Sequence, residues 1–172
     1  MDKLKDYIIH FVGLSLGNHR FSYLIDDTFF AQFEDSEISR SAVKIELDLN
    51  KLERMMILTF NIEGTIGVNC SRCMDDFDLE ISGREEFFVK FGDEYLEEDD
   101  NVLIIPDTEY QLDISNLIYD YLYLMIPFRV VHPDDESGNS TCNPEVIKRL
   151  EQMSHKEEPS SAWDKLKDFK PE

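Results

Sequence analysis

The sequence predicts an α+β fold: a mainly antiparallel β-sheet that could close toward a barrel, followed by one long helix and one or two short C-terminal helices. Three observations predict it. Val43, Ile45, Leu47 and Leu49 alternate with polar residues, as do Met56, Leu58, Phe60 and Ile62, which is the period of half-buried strands. A Cys-x-x-Cys turn, Cys70 to Cys73, then separates this run from a second alternating arm carrying Phe77, Leu79 and Ile81. From Asp113 onward the pattern turns helical, with Leu117, Ile118, Tyr121, Leu122, Leu124 and Met125 before Pro127.

Taken in order, residues 6–14 are apolar and β-branched enough to predict a first strand, and residues 19–25 a second after the Gly17-Asn18 turn signal. Phe29, Phe30 and Phe33 read as core plugs ahead of the polar stretch 34–41. Residues 51–54 make the turn between the two clearest strands, and the arm after the cysteines runs to Phe91, with Gly83 marking a bulge or bend. Residues 92–101 read as an acidic loop, relieved only by Tyr95 and Leu96, and residues 102–105 as a short strand stopped by Pro106. Asp113 is placed to cap the helix that follows. Asn143 and Pro144 mark the cap and first position of a second helix, running to Met153. Residues 1–155 form one α+β domain in this reading. Residues 156–161 form a linker, and 162–169 a short amphipathic tail with Trp163, Leu166 and Phe169 at helical spacing. Trp163 docks back on the domain or, as the less favoured alternative, grips a partner.

At 172 residues and 42% apolar content, the chain can bury a core. It has no apolar run long enough to cross a membrane, and its first residues do not read as a secretion signal. Three cysteines argue against a disulfide scaffold and fit a reducing compartment, so a cytoplasmic location is expected. The formal charge of −20 constrains partners more than any other compositional fact. Between Asp93 and Glu136 thirteen acidic residues face Arg129 alone. Since nucleic-acid affinity rests on cations that neutralise phosphates, such a surface repels RNA and attracts basic proteins. The plainer reading of any one acidic run is a solvated face.

Thiolate and imidazole are the ligands of structural zinc. Cys70 and Cys73 sit at a hairpin apex with the spacing of half a zinc ribbon, and the loop between the two predicted helices carries His132 and Cys142. The four would form a closed three-Cys, one-His site for zinc. The alternative is that the cysteines are small buried residues and His132 an ordinary loop residue. A redox role for Cys70 and Cys73 is disfavoured, because Asp75 and Asp76 should raise their pKa and no helix N-terminus is adjacent. No Gly-x-Ser-x-Gly, phosphate-binding glycine loop or His-Glu-x-x-His is present. Asp134, Asp135 and Glu136 beside His132 read as a solvated loop before they read as a catalytic metal site.

The stretch Gly64-Thr-Ile-Gly-Val-Asn-Cys-Ser-Arg-Cys73, the segment Asp113-Ile-Ser-Asn-Leu-Ile-Tyr119 and the helix end Leu124-Met-Ile-Pro127 together resemble the YceD-like family. These bacterial and plastid proteins are described as needed for large-subunit ribosomal RNA accumulation. The resemblance covers roughly residues 56–150, and the N-terminal strands look similar. It implies a ribosome-biogenesis role without enzymatic activity, and metal coordination by early and late cysteines together, which matches Cys142. The chain departs from the family in offering His132 as fourth ligand and in its tail, where Ala162-Trp163-Asp164-Lys165-Leu166 stands in place of a run introduced by Asp-Pro-Arg.

Charge and resemblance meet in one expectation: a non-catalytic assembly factor that holds a basic ribosomal or assembly protein, with residues 92–101 and 134–136 as contact surfaces. The alternative is a direct RNA-binding module in which Lys44, Lys51, Arg54, Arg72 and Arg84 gather into a local patch. A metal-dependent enzyme, the third reading, would need an open coordination position.

Overall fold

The computed structural model describes residues 3–34, 36, 38 and 40–154; the linker and tail fall outside them. Contacts divide the chain into two compact units. One contains the residues through Val68 together with Phe77–Phe128, and the other Asn69–Asp76 together with the described residues from Arg129 on.

The first unit is built on a six-stranded sheet. The period-two run becomes β3 (Ser41–Lys51), with Val43, Ile45, Leu47 and Leu49 all buried. β4 (Met55–Asn69) returns antiparallel to it, burying Met56, Leu58, Phe60 and Ile62. The Leu52 amide donates to the Met55 carbonyl at 2.8 Å to close their turn. β2 (Gly17–Asp26) flanks β3 in antiparallel register, and β5 (Asp76–Gly92) flanks β4. Gly64 lies opposite Val43, where a Cβ would stand 2.3 Å from the Ala42 carbonyl oxygen and 2.5 Å from the Val43 Cα. Only glycine lets β3 and β4 approach so closely.

The first predicted strand is mostly not a strand. Residues 3–14 form a 3-10 turn (Lys3–Tyr7), a two-residue β1 (Ile8–Ile9) and a second turn (Phe11–Gly13). β1 pairs with β8 (Leu112–Asp113) in a separate two-stranded sheet. Burial of Ile9 and Phe11 explains the apolar composition, and the Lys51 ammonium donates to the Phe11 and Leu14 carbonyls, both at 2.8 Å. Carbonyls left out of any ladder are satisfied by that one side chain.

The phenylalanine cluster belongs to a short helix the sequence did not announce, α1 (Asp27–Phe30), capped by the Asp26 carboxylate accepting from the Thr28 amide at 2.9 Å. Phe29 and Phe30 are buried, and Phe33 stacks on Tyr119 with centroids 4.2 Å apart.

The stretch read as an acidic loop contains β6 (Leu96–Asp99), every residue of it exposed. An edge strand with neither face buried shows no alternation, so the sequence pattern was blind to it. β7 (Val102–Pro106) lies between β5 and β6, parallel to β5 and antiparallel to β6. The order β2-β3-β4-β5-β7-β6 leaves β2 and β6 as free edges, so the sheet is open and does not close into a barrel. Helices cover the apolar surface that closure would have hidden. α2 (Ser115–Leu124) buries Ile118, Tyr121 and Leu122, with the Tyr121 ring edge-on to Phe60 at 5.4 Å. Asp113 acts as read, though from one position outside the cap residue: its carboxylate accepts from the Ser115 amide (2.8 Å) and hydroxyl (2.6 Å). Gly83 has a packing reason beyond the anticipated bend, since a Cβ there would meet the Met125 Cε at 2.5 Å.

The second unit carries α3 (Pro144–Ser154), begun as anticipated by the Asn143 side chain accepting from the Glu145 amide at 3.1 Å. It spans 11 residues against the 10 of α2, so the number and length of the helices are roughly as expected.

Candidate metal centre

Residues 70–75 join β4 to β5 through a tight turn. The Met74 amide donates to the Cys70 carbonyl (2.9 Å), and the Cys70 amide to the Asp75 carbonyl (3.0 Å). Met74 takes a left-handed φ of 65°, which reverses the chain directly after Cys73. Ser71 then anchors the returning segment: its amide donates to the Val130 carbonyl at 2.7 Å, and its hydroxyl accepts from the Val130 amide at 3.3 Å. His132 follows two residues later.

The ten positions between His132 and Cys142, loose for a compact finger, are folded up by a local hairpin. Asp134 bridges to Ser140, and the Asp135 amide donates to the Asn139 carbonyl at 2.8 Å. The Asp135 carboxylate accepts from the amide (2.8 Å) and side chain (3.3 Å) of Asn139 and from the amide of Ser137 (2.9 Å), bonds that hold its pKa below the usual carboxylate value. Thr141 Oγ1 closes on the Pro133 carbonyl at 2.7 Å. Two further bonds join the halves: Arg72 donates to Ser140 Oγ at 3.2 Å, and Asn143 to Asp75 at 3.1 Å.

Together these brackets place the four predicted ligands around one point. Their donor atoms all lie within 4.8 Å of one another. Cys70 Sγ is 3.7 Å from Cys142 Sγ, and His132 Nδ1 is 3.4 Å from Cys73 Sγ and 3.8 Å from Cys142 Sγ. Tetrahedral zinc, with sulfur at about 2.3 Å and nitrogen at about 2.0 Å, sets sulfurs about 3.8 Å apart and sulfur about 3.5 Å from nitrogen. The donor set fits such an ion in kind, number and spacing. The three thiols are buried and none is in a disulfide. Four protein donors are the number that completes a tetrahedron around such an ion.

The electrostatics differ from the sequence reading at one atom. Burial pushes the Cys70 thiol up, but backbone amides of Cys73, Arg72 and His132 and the imidazole of His132 outweigh it and bring its pKa down to about 5. Cys73 is pushed up, by burial first and then by its sulfur neighbours Cys70 and Cys142, against the amides of Asn143 and Asp75. The turn's own N–H groups do at Cys70 what a helix N-terminus would do, and the adjacent aspartates do not prevent it.

Four of the five cations proposed for an RNA patch have other engagements. Lys44 pairs with Glu46 at 2.6 Å and Arg84 with Glu86 at 3.5 Å. Lys51 holds the carbonyls of Phe11 and Leu14, and Arg72 holds Ser140. Lys44 and Lys51, an odd number of residues apart on β3, fall on opposite faces of the sheet.

Among the described residues, no helix is long and apolar enough to cross a membrane. No curated protein and no solved structure matches the chain. The family described as large ribosomal RNA subunit accumulation protein YceD matches residues 58–170, a span that holds all four clustered ligands and the strands and helices bracketing them. The chain belongs to that family.

Proposed function

We propose that this protein is a non-catalytic, cytoplasmic factor supporting accumulation of large-subunit ribosomal RNA, and that it does so by holding a basic ribosomal or assembly protein. The family's description supports the ribosomal setting. The observation that carries the choice of partner is the charge of −20, which disfavours phosphate and favours a cationic protein. The closed donor set of Cys70, Cys73, His132 and Cys142 supports a structural role for zinc, whose binding would supply folding free energy and no chemistry on a substrate. Free thiols are in keeping with a reducing compartment.

Affinity purification of the full chain at low and at high salt tests this. Basic ribosomal or assembly proteins should be recovered at low salt and lost at high salt, with or without nuclease treatment. Recovery of naked RNA without a basic protein would replace this reading with direct RNA binding.

A further inference from the structure

A concavity of the first unit, about 1200 Å³, lies beside β6 and α2. It exceeds the range of about 300–1,000 Å³ usual for one small ligand. Its walls are of two kinds. Glu97, Asp99, Asp100 and Asp120 line it without an ion-pair partner among the described residues, Glu98 is paired with Lys90, and no Lys, Arg or His lines it. Between these carboxylates lie Tyr95, Leu117, Tyr119, Tyr123 and Leu124, of which Tyr95 and Leu124 are 64% and 80% exposed. An acidic wall alone would be a solvated face. Here Tyr121, nine-tenths buried, also lines the groove, and its hydroxyl has no hydrogen-bond partner among the described residues. A buried hydroxyl left without a bond is destabilising, so the groove carries an unmet polar demand along with its apolar surface.

We infer that this groove seats an extended segment of a protein partner that alternates Lys or Arg with aliphatic or aromatic side chains; the inference rests on the basic-partner reading and gives it a place. Lys and Arg ends reach the carboxylates, the apolar side chains cover the exposed rings and Leu124, and a backbone carbonyl accepts from Tyr121. β6 is a free edge, and the register shift between Glu97 and Asp99 disturbs its ladder, as edge strands often are disturbed to discourage pairing. A second copy would set Glu97, Glu98 and Asp99 against the same three acids, so self-association along β6 is repelled while a cationic strand is attracted. RNA is repelled by the same charges.

The test uses the full chain, loaded with zinc, and a labelled synthetic peptide alternating Lys or Arg with Leu and Phe. Controls are oligolysine without apolar residues and a single-stranded RNA. The peptide should bind more tightly than oligolysine and shift backbone amide signals of β6 and α2. Glu97→Lys with Asp100→Lys should weaken it at least about tenfold, and Leu124→Ser should weaken it as well, whereas Glu53→Lys with Glu80→Lys, exposed positions outside the groove, should change it little. Equal weakening by both charge-reversal pairs, or oligolysine binding as well as the peptide, overturns the groove and leaves the basic-partner reading standing. Binding of the RNA in place of either peptide overturns both.

Discussion

Cys70 Sγ and Cys142 Sγ lie 3.7 Å apart although seventy-two positions separate them in the chain. That spacing is far beyond a disulfide bond and close to the edge of a thiolate tetrahedron around zinc. The purified protein should therefore carry one zinc per chain. Cys142→Ser should abolish tight binding, and cobalt substitution in the unaltered protein should give the absorption of a thiolate-rich tetrahedral site. Chelation should lower the melting temperature; elemental analysis and thermal unfolding check both outcomes. A metal-free preparation that melts unchanged after zinc addition would remove the structural role.

Asp135 is not one of the four clustered residues, yet its carboxylate holds the turn between His132 and Cys142. Asp135→Ala should weaken zinc binding by about tenfold, the lower end of what outer supports contribute. Asp135→Asn, which keeps an accepting oxygen, should restore most of the affinity. Competition with a chromophoric chelator measures the difference.

Gly64→Ala puts a methyl group against two backbone atoms of β3, neither of which can swing aside. The expected cost is about 3 kcal/mol, read as a lower urea midpoint with an unchanged slope. Gly13→Ala, at a position with nothing near its Cβ, serves as the control.

Tyr23 and Tyr121 are both pushed up to about 12: Tyr23 by burial and the charge of Tyr7, Tyr121 by burial and the charges of Glu85 and Asp120. Their folded values exceed the ordinary value near 10, so the unfolded chain releases protons first. Stability is unaffected below about pH 10, the unfolded value, and is lost as pH rises toward 12. Tyr121→Phe should flatten that alkaline loss, followed by circular dichroism against pH. Because its hydroxyl has no partner among the described residues, the same change should leave neutral-pH stability equal or slightly higher.

What the sequence disclosed follows from where one face of an element is buried. β3 and β4 show their alternation because Leu47 and Phe60 point into a core while Asp48 and Thr59 do not. The Asn143-Pro144 start of α3 is legible because its signal is local. β6 was hidden because neither face is buried, and α1 because four residues are too few to show a helical period. The parallel pairing of β5 with β7 depends on where the chain lays β6, and no residue of β7 encodes it. At the candidate site the four residues that cluster were legible by type. The device that joins them was not: the paired bonds of Ser71 with Val130 and the Asp135 turn are made by residues with ordinary identities. The lowered pKa of Cys70 comes from backbone amides, which every sequence has.

The pairing of Cys70 with Cys142 also sets an order of events during synthesis. Cys70 and Cys73 leave the ribosome long before their last companion, so no enclosed ion can help while β2, β3 and β4 are finding their register. Those strands would find their register through their own ladder bonds and apolar burial before residue 142 emerges, and an ion held by the four clustered residues would be enclosed only after that.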